Sequence, residues 1–423
     1  MPIHPKTTHI STFKGLNNVE LPEDTEVGFF KKIVNADISK KSKVTKRKGY
    51  YLRDGGNYIS LWASENNLGC YANKGGSLIK IDEGYNKEVL ADNLDNYKVS
   101  FEEVDDTVYY TSPITTGRVV DGIRYDWGID RNYLSPTLIQ TVGTLPEGTY
   151  QVTFTYVNSD GLESGTSHAS TIALPANSGI SLFIPPHPSP NVVFARVYCS
   201  TQNGNMLYYS GFTTTNSTYI VSSQENLINP LITFNLDKPP TGQNIKYFKG
   251  RLFVASDNVL YYTEPLMYNH VNMAKNFFEF PSYIRGVMPV EDGIWIASDK
   301  LYYLSGVDPT SFKKTTKEYL EMVEGSEVRF SGSYLHLDNT PVGYKWFITT
   351  NLGIFVLFNQ GLVINMSAAS VNLDRADEGA AVFLQSKGLN GYLSMLRNND
   401  KEANTSFGDM VETTIIRNGV VIP

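Results

Sequence analysis

Short segments of alternating hydrophobic and polar residues run along most of the chain, and a tyrosine pair recurs in three of them. The pairs are Tyr109–Tyr110, Tyr261–Tyr262 and Tyr302–Tyr303. The last two follow an apolar segment and a short turn, at Ser256–Asn258 and Ser298–Lys300, which predicts β-hairpins. These two pairs lie 41 residues apart, a spacing typical of one four-stranded propeller blade, about 40 to 50 residues. The pattern therefore predicts a β-propeller.

The pattern changes between residues 140 and 236, where charged residues become rare and Thr, Ser, Asn and Pro become frequent. This stretch opens with the strictly alternating segment Glu147–Val157 and the turn Asn158–Gly161, which predicts a half-buried strand and a turn. Further strands are predicted at 166–173, 179–184, 192–199, 206–212, 217–221 and 231–234. Seven short strands favour a sandwich that resembles an immunoglobulin or fibronectin type III module.

Tyrosine-rich hairpins resume after this stretch, so the sequence predicts an all-β chain in which a β-sandwich is inserted into one β-propeller. We predict an N-terminal arm and first part of the propeller at 1–139, the sandwich at 140–236, and the remainder of the propeller at 237–423. The apolar window 346–364 is interrupted by polar residues and glycines, which predicts three short strands and no membrane segment. One short helix is predicted near Lys314–Val323.

The net charge of −7 is unevenly distributed. Eight basic residues between positions 31 and 48, the basic segment, face one acid, so the other 405 residues carry a net charge of −14. The basic segment is interpreted as a solvated arm, as a contact to an acidic surface of a neighbouring copy such as Asp82–Asp106, or as a contact to DNA phosphates. Its residues are Lys31, Lys32, Lys40, Lys41, Lys43, Lys46, Arg47 and Lys48.

Catalytic and metal-binding motifs are missing from the sequence. The six histidines show no metal-binding spacing, and there is no Walker loop or nucleophile elbow. The two cysteines, Cys70 and Cys199, offer neither a disulfide framework nor a zinc site. The acidic run Asp92–Asn96 lacks the spacing of a calcium loop. We therefore expect no cofactor and no enzymatic activity.

Two sets of residues contain the types needed for catalysis. One is a Ser, His and Asp set, for which a turn and a strand are the preferred interpretation. The other is a set of carboxylates suited to a glycosidase, for which turn chemistry is preferred. The sets are Asp160, Ser164 and His168, and Asp292, Asp299 and Asp308.

Two groups of motifs stand out, one at the start of the chain and one beyond the predicted sandwich. They are Gly15–Val19, Glu26, Asn35–Ser39 and Val44–Tyr50, then Gly250–Ala255 with Leu260–Pro265. Together they resemble tailed-phage virion proteins with a propeller core. Two departures occur in the first group: Lys41–Lys43 stands where the family has a turn glycine, and Lys48 replaces its proline.

The family includes the tail-nozzle or packaged-DNA stabilisation proteins of short-tailed phages. The resemblance implies a ring of copies, expected to be a hexamer, that contacts portal, adaptor and other tail proteins. Double-stranded DNA would be retained and then pass through it without sequence-specific binding. With no signal peptide in the sequence, we expect synthesis in the host cytoplasm and a final location in the virion tail.

Two alternatives remain open at the level of sequence. The protein could be a tail adhesin that binds a host receptor or glycan, with exposed tryptophans as stacking platforms. A propeller glycosidase ranks below it. The candidate platforms are Trp62, Trp127, Trp295 and Trp346.

Overall fold

The computed structural model describes residues 10, 12–33, 36–38, 43–46, 52–66, 68–224, 228–334, 342–367, 373, 376–386, 389–398, 412–417 and 420–422. Two compact units make up the chain: a split unit of residues 1–57 and 279–423, and a central unit of residues 58–278. Among the described residues there is no α-helix. The same part of the chain contains three 3₁₀ turns, at Pro309–Ser311, Gly332–Tyr334 and Asn359–Gly361.

The split unit begins with two small strand pairs. The first is parallel and the second is antiparallel. They are β1 (Gly15–Leu16) with β2 (Phe29–Phe30), and β3 (Ala36–Ile38) with β4 (Val44–Lys46).

The central unit begins with two four-stranded antiparallel meanders, in which each strand pairs with the next along the chain. We call this arrangement a blade sheet, because it is the unit from which propellers are built. The first contains β5 (Tyr58–Ala63), β6 (Cys70–Lys74), β7 (Ser77–Ile81) and β8 (Lys87–Ala91). The second contains β9 (Ser100–Val104), β10 (Thr107–Thr111), β11 (Thr116–Val120) and β12 (Ile123–Tyr125).

A two-sheet sandwich follows. One sheet has the order β13-β16-β19 and the other has the order β15-β14-β17-β18. The strands are β13 (Leu138–Leu145), β14 (Gly148–Asn158), β15 (Ser170–Leu174), β16 (Ser178–Ile184), β17 (Val192–Ser200), β18 (Leu207–Thr214) and β19 (Ser217–Val221). A third blade sheet closes the central unit, with β20 (Asn244–Phe248), β21 (Arg251–Ser256), β22 (Val259–Tyr262) and β23 (Phe277–Glu279).

Three further blade sheets lie in the second part of the split unit. The first contains β24 (Gly286–Val290), β25 (Gly293–Ala297), β26 (Leu301–Ser305) and β27 (Lys313–Glu318). The second contains β28 (Val328–Ser331), β29 (Tyr344–Thr350), β30 (Gly353–Leu357) and β31 (Val363–Asn365). The third contains β32 (Glu378–Ser386), β33 (Leu389–Arg397), β34 (Glu412–Arg417) and β35 (Val420–Ile422).

The fold class predicted from the sequence is confirmed: the chain is all-β, and a two-sheet sandwich interrupts a series of propeller-type blade sheets. The three strands predicted within 346–364 are also present as β29, β30 and β31. The predicted boundaries of the sandwich stay a prediction. Its strands run from Leu138 to Val221.

Two local predictions were wrong, and one strand was missed. Residues 314–318 of the segment predicted as a helix belong to β27, because Thr315 and Thr316, which are β-branched, pair with Tyr303 and Tyr302 of β26. The segment 231–234 forms no strand. Strand β13 was not predicted, because Gly143 and an irregular register near Val142 break its alternation.

Two-residue turns that start with aspartate connect two of the hairpins. Asp105 has a φ of 52° and Asp257 has a φ of 55°, the left-handed conformation that such tight turns require and that Asp tolerates. The tyrosine pairs that follow these turns do not occupy equivalent strands. Tyr109–Tyr110 lies in the second strand of its sheet, whereas Tyr261–Tyr262 lies in the third strand of its own.

The sandwich has a core of its own. Alternate residues of β14 point between the two sheets, and Tyr150, Val152 and Phe154 are fully buried there. The intervening threonines face the other side, where Thr153 donates a hydrogen bond to the carbonyl of His168 at 2.5 Å. One long strand therefore connects the apolar core to a polar layer on its outer face.

Candidate interaction surfaces

The basic segment lies partly within the described residues of the split unit. Lys32, Lys43 and Lys46 are exposed, and Lys31 is half-buried. The Lys31 ammonium donates a hydrogen bond to the carbonyl of Glu20. The other four predicted residues, Lys40, Lys41, Arg47 and Lys48, lie outside the described residues.

A short hairpin presents part of this segment. Ala36 pairs with Lys46 and Ile38 pairs with Val44 in the β3–β4 register. All three residues of β4 are exposed. Lysine on such a small exposed strand disfavours edge-to-edge aggregation, and it also provides positive charge for a polyanion or an acidic protein surface.

The acidic segment 82–106 lies in the central unit, and part of its charge is already engaged there. Glu103 accepts hydrogen bonds from Ser64 and Asn66, each at 2.6 Å, and Glu102 lies 3.6 Å from the Lys246 ammonium. The amide groups of Asn86 donate two hydrogen bonds to Asp82, which lowers the pKa of that carboxyl group. The segment is therefore less available to a partner than its composition indicates.

The Ser, His and Asp set does not form a triad. Asp160 pairs with Arg118. The Ser164 hydroxyl is buried and donates to the Gly165 carbonyl at 2.9 Å. His168 Nδ1 lies 2.7 Å from the Ser167 hydroxyl. Each side chain thus has its own local partner.

The three carboxylates considered for glycoside hydrolysis also have separate structural roles. Tyr303 donates a hydrogen bond to Asp292 at 2.6 Å, and Tyr302 donates one to Asp299 at 2.8 Å. Burial, with the bond to Asp299, raises the pKa of Tyr302 to about 12. Asp308 caps a 3₁₀ turn by accepting from the Thr310 amide at 2.9 Å. The tyrosine pair of β26 is therefore bound to two of these aspartates.

The described residues offer little support for a metal site or for a reactive thiol. No group of three or more His, Cys, Asp or Glu side chains is arranged to hold a metal ion among these residues. Cys70 and Cys199 are free. Burial raises the pKa of the Cys199 thiol to about 12, which disfavours the reactive thiolate.

Three of the four tryptophans are buried. Trp127, Trp295 and Trp346 are each at most 5% exposed. Each indole N–H donates to a backbone carbonyl; the Trp295 bond to Phe358 is 2.7 Å long. Trp62 is half-buried and stacks on Phe101 with 5.7 Å between ring centroids. This burial removes three of the predicted platforms for glycan stacking.

Sequence reasoning missed a polar junction in the central unit where the two linkers of the sandwich meet. Lys238 lies 2.8 Å from Asp130. Asp237 lies 3.2 Å from the Arg131 guanidinium and accepts a hydrogen bond from the Tyr133 hydroxyl at 3.0 Å. Two ion pairs thus tie the incoming linker to the outgoing one.

A cleft of about 760 Å³ lies at this junction, and it is lined by residues of both linkers and of the sandwich, including Trp127 and His187. Gly128 has a φ of +86°, and a Cβ at this position would lie 2.8 Å from the Cβ of Lys238. Glycine is therefore required where the linkers cross.

Burial lowers the pKa of His187, which favours its neutral form. The dipeptides Asp130–Arg131 and Asp237–Lys238 were the available signal, but their pairing across more than 100 residues was not predictable.

No helix of the described part is both long and apolar enough to cross a membrane.

No family model matches the chain, and no curated protein matches it. Among solved structures, it is similar to a streptogramin B lyase at 11% identity and a TM-score of 0.33, covering 81% of this chain and 92% of that one. It is similar to Kluyveromyces lactis Hsv2 at 6% identity and a TM-score of 0.30, covering 81% and 91%. It is also similar to a structure of BBS1N in complex with ARL6DN, at 11% identity and a TM-score of 0.31, covering 79% and 88%. Likeness at this level carries no argument about function.

Proposed function

We propose that this protein is a structural component of a tailed-phage virion. Its copies would form a ring, expected to be a hexamer, at the head-to-tail channel, and the ring would retain packaged double-stranded DNA and later let it pass. The observation that carries this proposal is the order of the two motif groups, one before and one after the inserted sandwich, in a chain built from blade sheets.

The first motif group has a structural basis in a buried asparagine. Asn17 is 5% exposed, and its side chain accepts hydrogen bonds from the amides of Val19 and Glu20 and donates one to the Glu20 carboxylate. The backbone amide of Asn17 donates a hydrogen bond to the Phe30 carbonyl at 2.8 Å. These bonds explain why the motif needs asparagine at this turn.

The second motif group forms the β21–β22 hairpin. The Arg251 guanidinium donates to the carbonyl of Thr263 at 2.7 Å and lies 5.4 Å from the ring of Tyr262. The buried Thr263 hydroxyl accepts from the Leu252 amide at 3.0 Å. The shared residues thus build turns and hairpins, which fits a protein that acts through assembly.

The charge distribution also supports the proposal. An acidic chain does not hold DNA tightly, because its carboxylates repel the phosphates, and this suits a passage through which DNA must move. The basic segment would supply a local contact, either to the DNA or to a neighbouring copy. No catalytic residue is needed for this role.

Imaging of phage particles that contain this protein tests the proposal. We expect its density to form a closed ring around the DNA axis, and density at the tail periphery or in a fibre would refute it. A second test replaces Lys32, Lys43 and Lys46 by alanine. It measures how much nuclease-sensitive DNA these particles release compared with particles that contain the parent protein. Replacement of Lys249 and Lys275, which are also exposed but lie outside the basic segment, is the matched control.

A further inference from the structure

The three-stranded sheet of the sandwich has two free edges. Strands β13 and β19 flank β16, and each is hydrogen-bonded on one side only. Among the described residues, no backbone hydrogen bond from outside the sheet reaches Leu138–Val142 or Ser217–Val221. Each edge therefore exposes a row of backbone donors and acceptors.

These two edges lack the features that normally protect a free strand. Neither β13 nor β19 contains a charged residue or a proline. Two large apolar side chains are exposed on the outer face beside them: Ile139 is 63% exposed and Ile220 is 50% exposed, in one row with Ser181 between them. Unprotected strands of this kind readily pair with another chain.

Two other edges in the same protein are protected. The β18 edge of the other sandwich sheet is covered by the chain itself, since Tyr209 donates to the carbonyl of Asn229 and Leu231 donates to that of Leu207, each at 2.8 Å. The outer strand β27 of a blade sheet carries three lysines and a glutamate. The free edges of the three-stranded sheet stand apart from both.

We propose that copies of this chain associate edge to edge, with β19 of one copy pairing along β13 of the next. Because both edges are uncharged, the pairing opposes no like charges, which destabilise cross-strand pairs. Both strands run antiparallel to β16, so they run in the same direction, and the new pair is parallel when each copy continues the sheet of the last.

The alternative of two β13 strands pairing across a two-fold axis would leave both β19 edges open. Pairing of β19 with β13 uses both edges of every copy. Such a head-to-tail contact produces a ring when the rotation closes. This assignment of the contact rests on the proposed function for the ring in which it would be used.

The test uses the full-length chain and measures its mass in solution by light scattering after size-exclusion chromatography. We expect the parent to associate, and we expect both Ile139→Lys and Ile220→Lys to be monomers. Phe183→Lys is the matched control, because Phe183 lies on the same outer face with 49% exposure but on the middle strand β16. It is expected to associate like the parent. Unchanged melting temperatures establish that the three variants are folded.

Mixing the two edge variants decides the geometry. Each retains one intact edge, so Ile139→Lys and Ile220→Lys together are expected to form a dimer and nothing larger. A dimer formed by Ile220→Lys alone would indicate β13–β13 pairing and overturn the proposal. Loss of association in Phe183→Lys would indicate docking through the face, and a monomeric parent at millimolar concentration would also overturn it.

The same variants separate this proposal from the proposed function. A ring in particles whose contacts lie away from β13 and β19 would refute the edge pairing alone. Association in solution that depends on both edges, without ring density in any particle, would refute the virion role alone.

Discussion

The sandwich and the blade sheets differ most in where they carry charge. Only five of the 97 residues from 140 to 236 are charged, whereas charged residues make up 19% of the whole chain. Three of the five are engaged in ion pairs: Asp160 with Arg118, and Glu163 with Arg196. The blade sheets instead carry lysines on exposed outer strands such as β27. Regions of one chain can thus differ in whether their surfaces resist or permit association.

The two regions also bury separate cores. In the central unit, the sandwich core surrounds Phe154, and a different cluster in the first two blade sheets surrounds Phe101. The sandwich is tied to its surroundings by polar contacts such as the Arg118–Asp160 pair. Stability within each region is therefore expected to depend on its own core, and the junction is expected to depend on hydrogen bonds and ion pairs.

The largest effect is expected from removing the central side chain of each core. Phe154→Ala and Phe101→Ala should each lower the free energy of unfolding by about 3 to 5 kcal/mol, because each leaves a cavity in a packed cluster. Hydrogen exchange should accelerate in β14–β17 for the first and in β6–β10 for the second. Phe183→Ala, at a half-exposed site, should stay within about 0.5 kcal/mol. Equal acceleration in both regions would mean that the cores are one cooperative cluster.

A smaller effect is expected at the polar layer outside the sandwich. Glu163 accepts hydrogen bonds from Thr155, Arg196 and Tyr198, each at 2.6 Å. Glu163→Gln should cost about 2 kcal/mol in urea unfolding, since it removes the charge that Arg196 pairs with. The exposed Glu147→Gln is the control. An equal effect of both changes would show that the network contributes nothing specific.

A pH dependence is expected at the contact between the sandwich and the third blade sheet. His270 is buried, its Nε2 lies 3.0 Å from the Glu163 carbonyl, and burial lowers its pKa. The unfolded state then binds a proton more readily, so stability is full above the ordinary histidine pKa of about 6.5 and falls as the pH drops toward the lowered value.

His270→Gln should therefore reduce the loss of stability between pH 7 and pH 5, measured by urea unfolding at each pH. Exposed His168→Gln is the control and should leave the loss as in the parent. The effect is smaller than the first two because a single proton is involved. An unchanged loss in His270→Gln would assign the pH dependence to other groups.

The smallest effect on folding is expected at the protected edge. Lys313→Val with Lys317→Val should change the free energy of unfolding by no more than about 0.5 kcal/mol, since both sites are exposed. The double variant should nevertheless associate at lower concentration than the parent in light scattering, because β27 loses its protecting charges. Lys275→Val, outside any strand, should not. If the double variant associates only at the same concentration as the parent, the lysines of β27 are not what protects its edge from pairing.

Local sequence patterns were sufficient to predict the structure where the residues of one strand alternate or where one turn connects two strands. The segment Glu147–Val157 was predicted as a strand from its alternation, and β14 occupies it. The same reasoning failed for β13, where Gly143 breaks the alternation, and for β27, where charged residues resemble a helix surface. Pairing with a neighbouring strand determined that both segments are strands, and a local sequence pattern carries no information about that neighbour.

The candidate surfaces were predictable only in part. The basic segment is evident from charge alone, and its described lysines are mostly exposed. The burial of three tryptophans was not evident, because an aromatic residue suits a strand whether it faces a core or a ligand. The pairs that join the linkers connect residues more than 100 positions apart, and composition does not specify such partners.

The sequence by itself determined that this chain forms short β-strands joined by tight turns, that a sandwich interrupts its blade sheets, and that charge is nearly absent from that sandwich. Alternation, turn residues and composition are local properties, so they can be taken from the chain directly. Only the tertiary structure decided which strands are edges, which aromatic residues are buried, and that β13 and β19 remain open. These properties depend on which distant segments pack together, and that choice is made by the whole set of contacts at once.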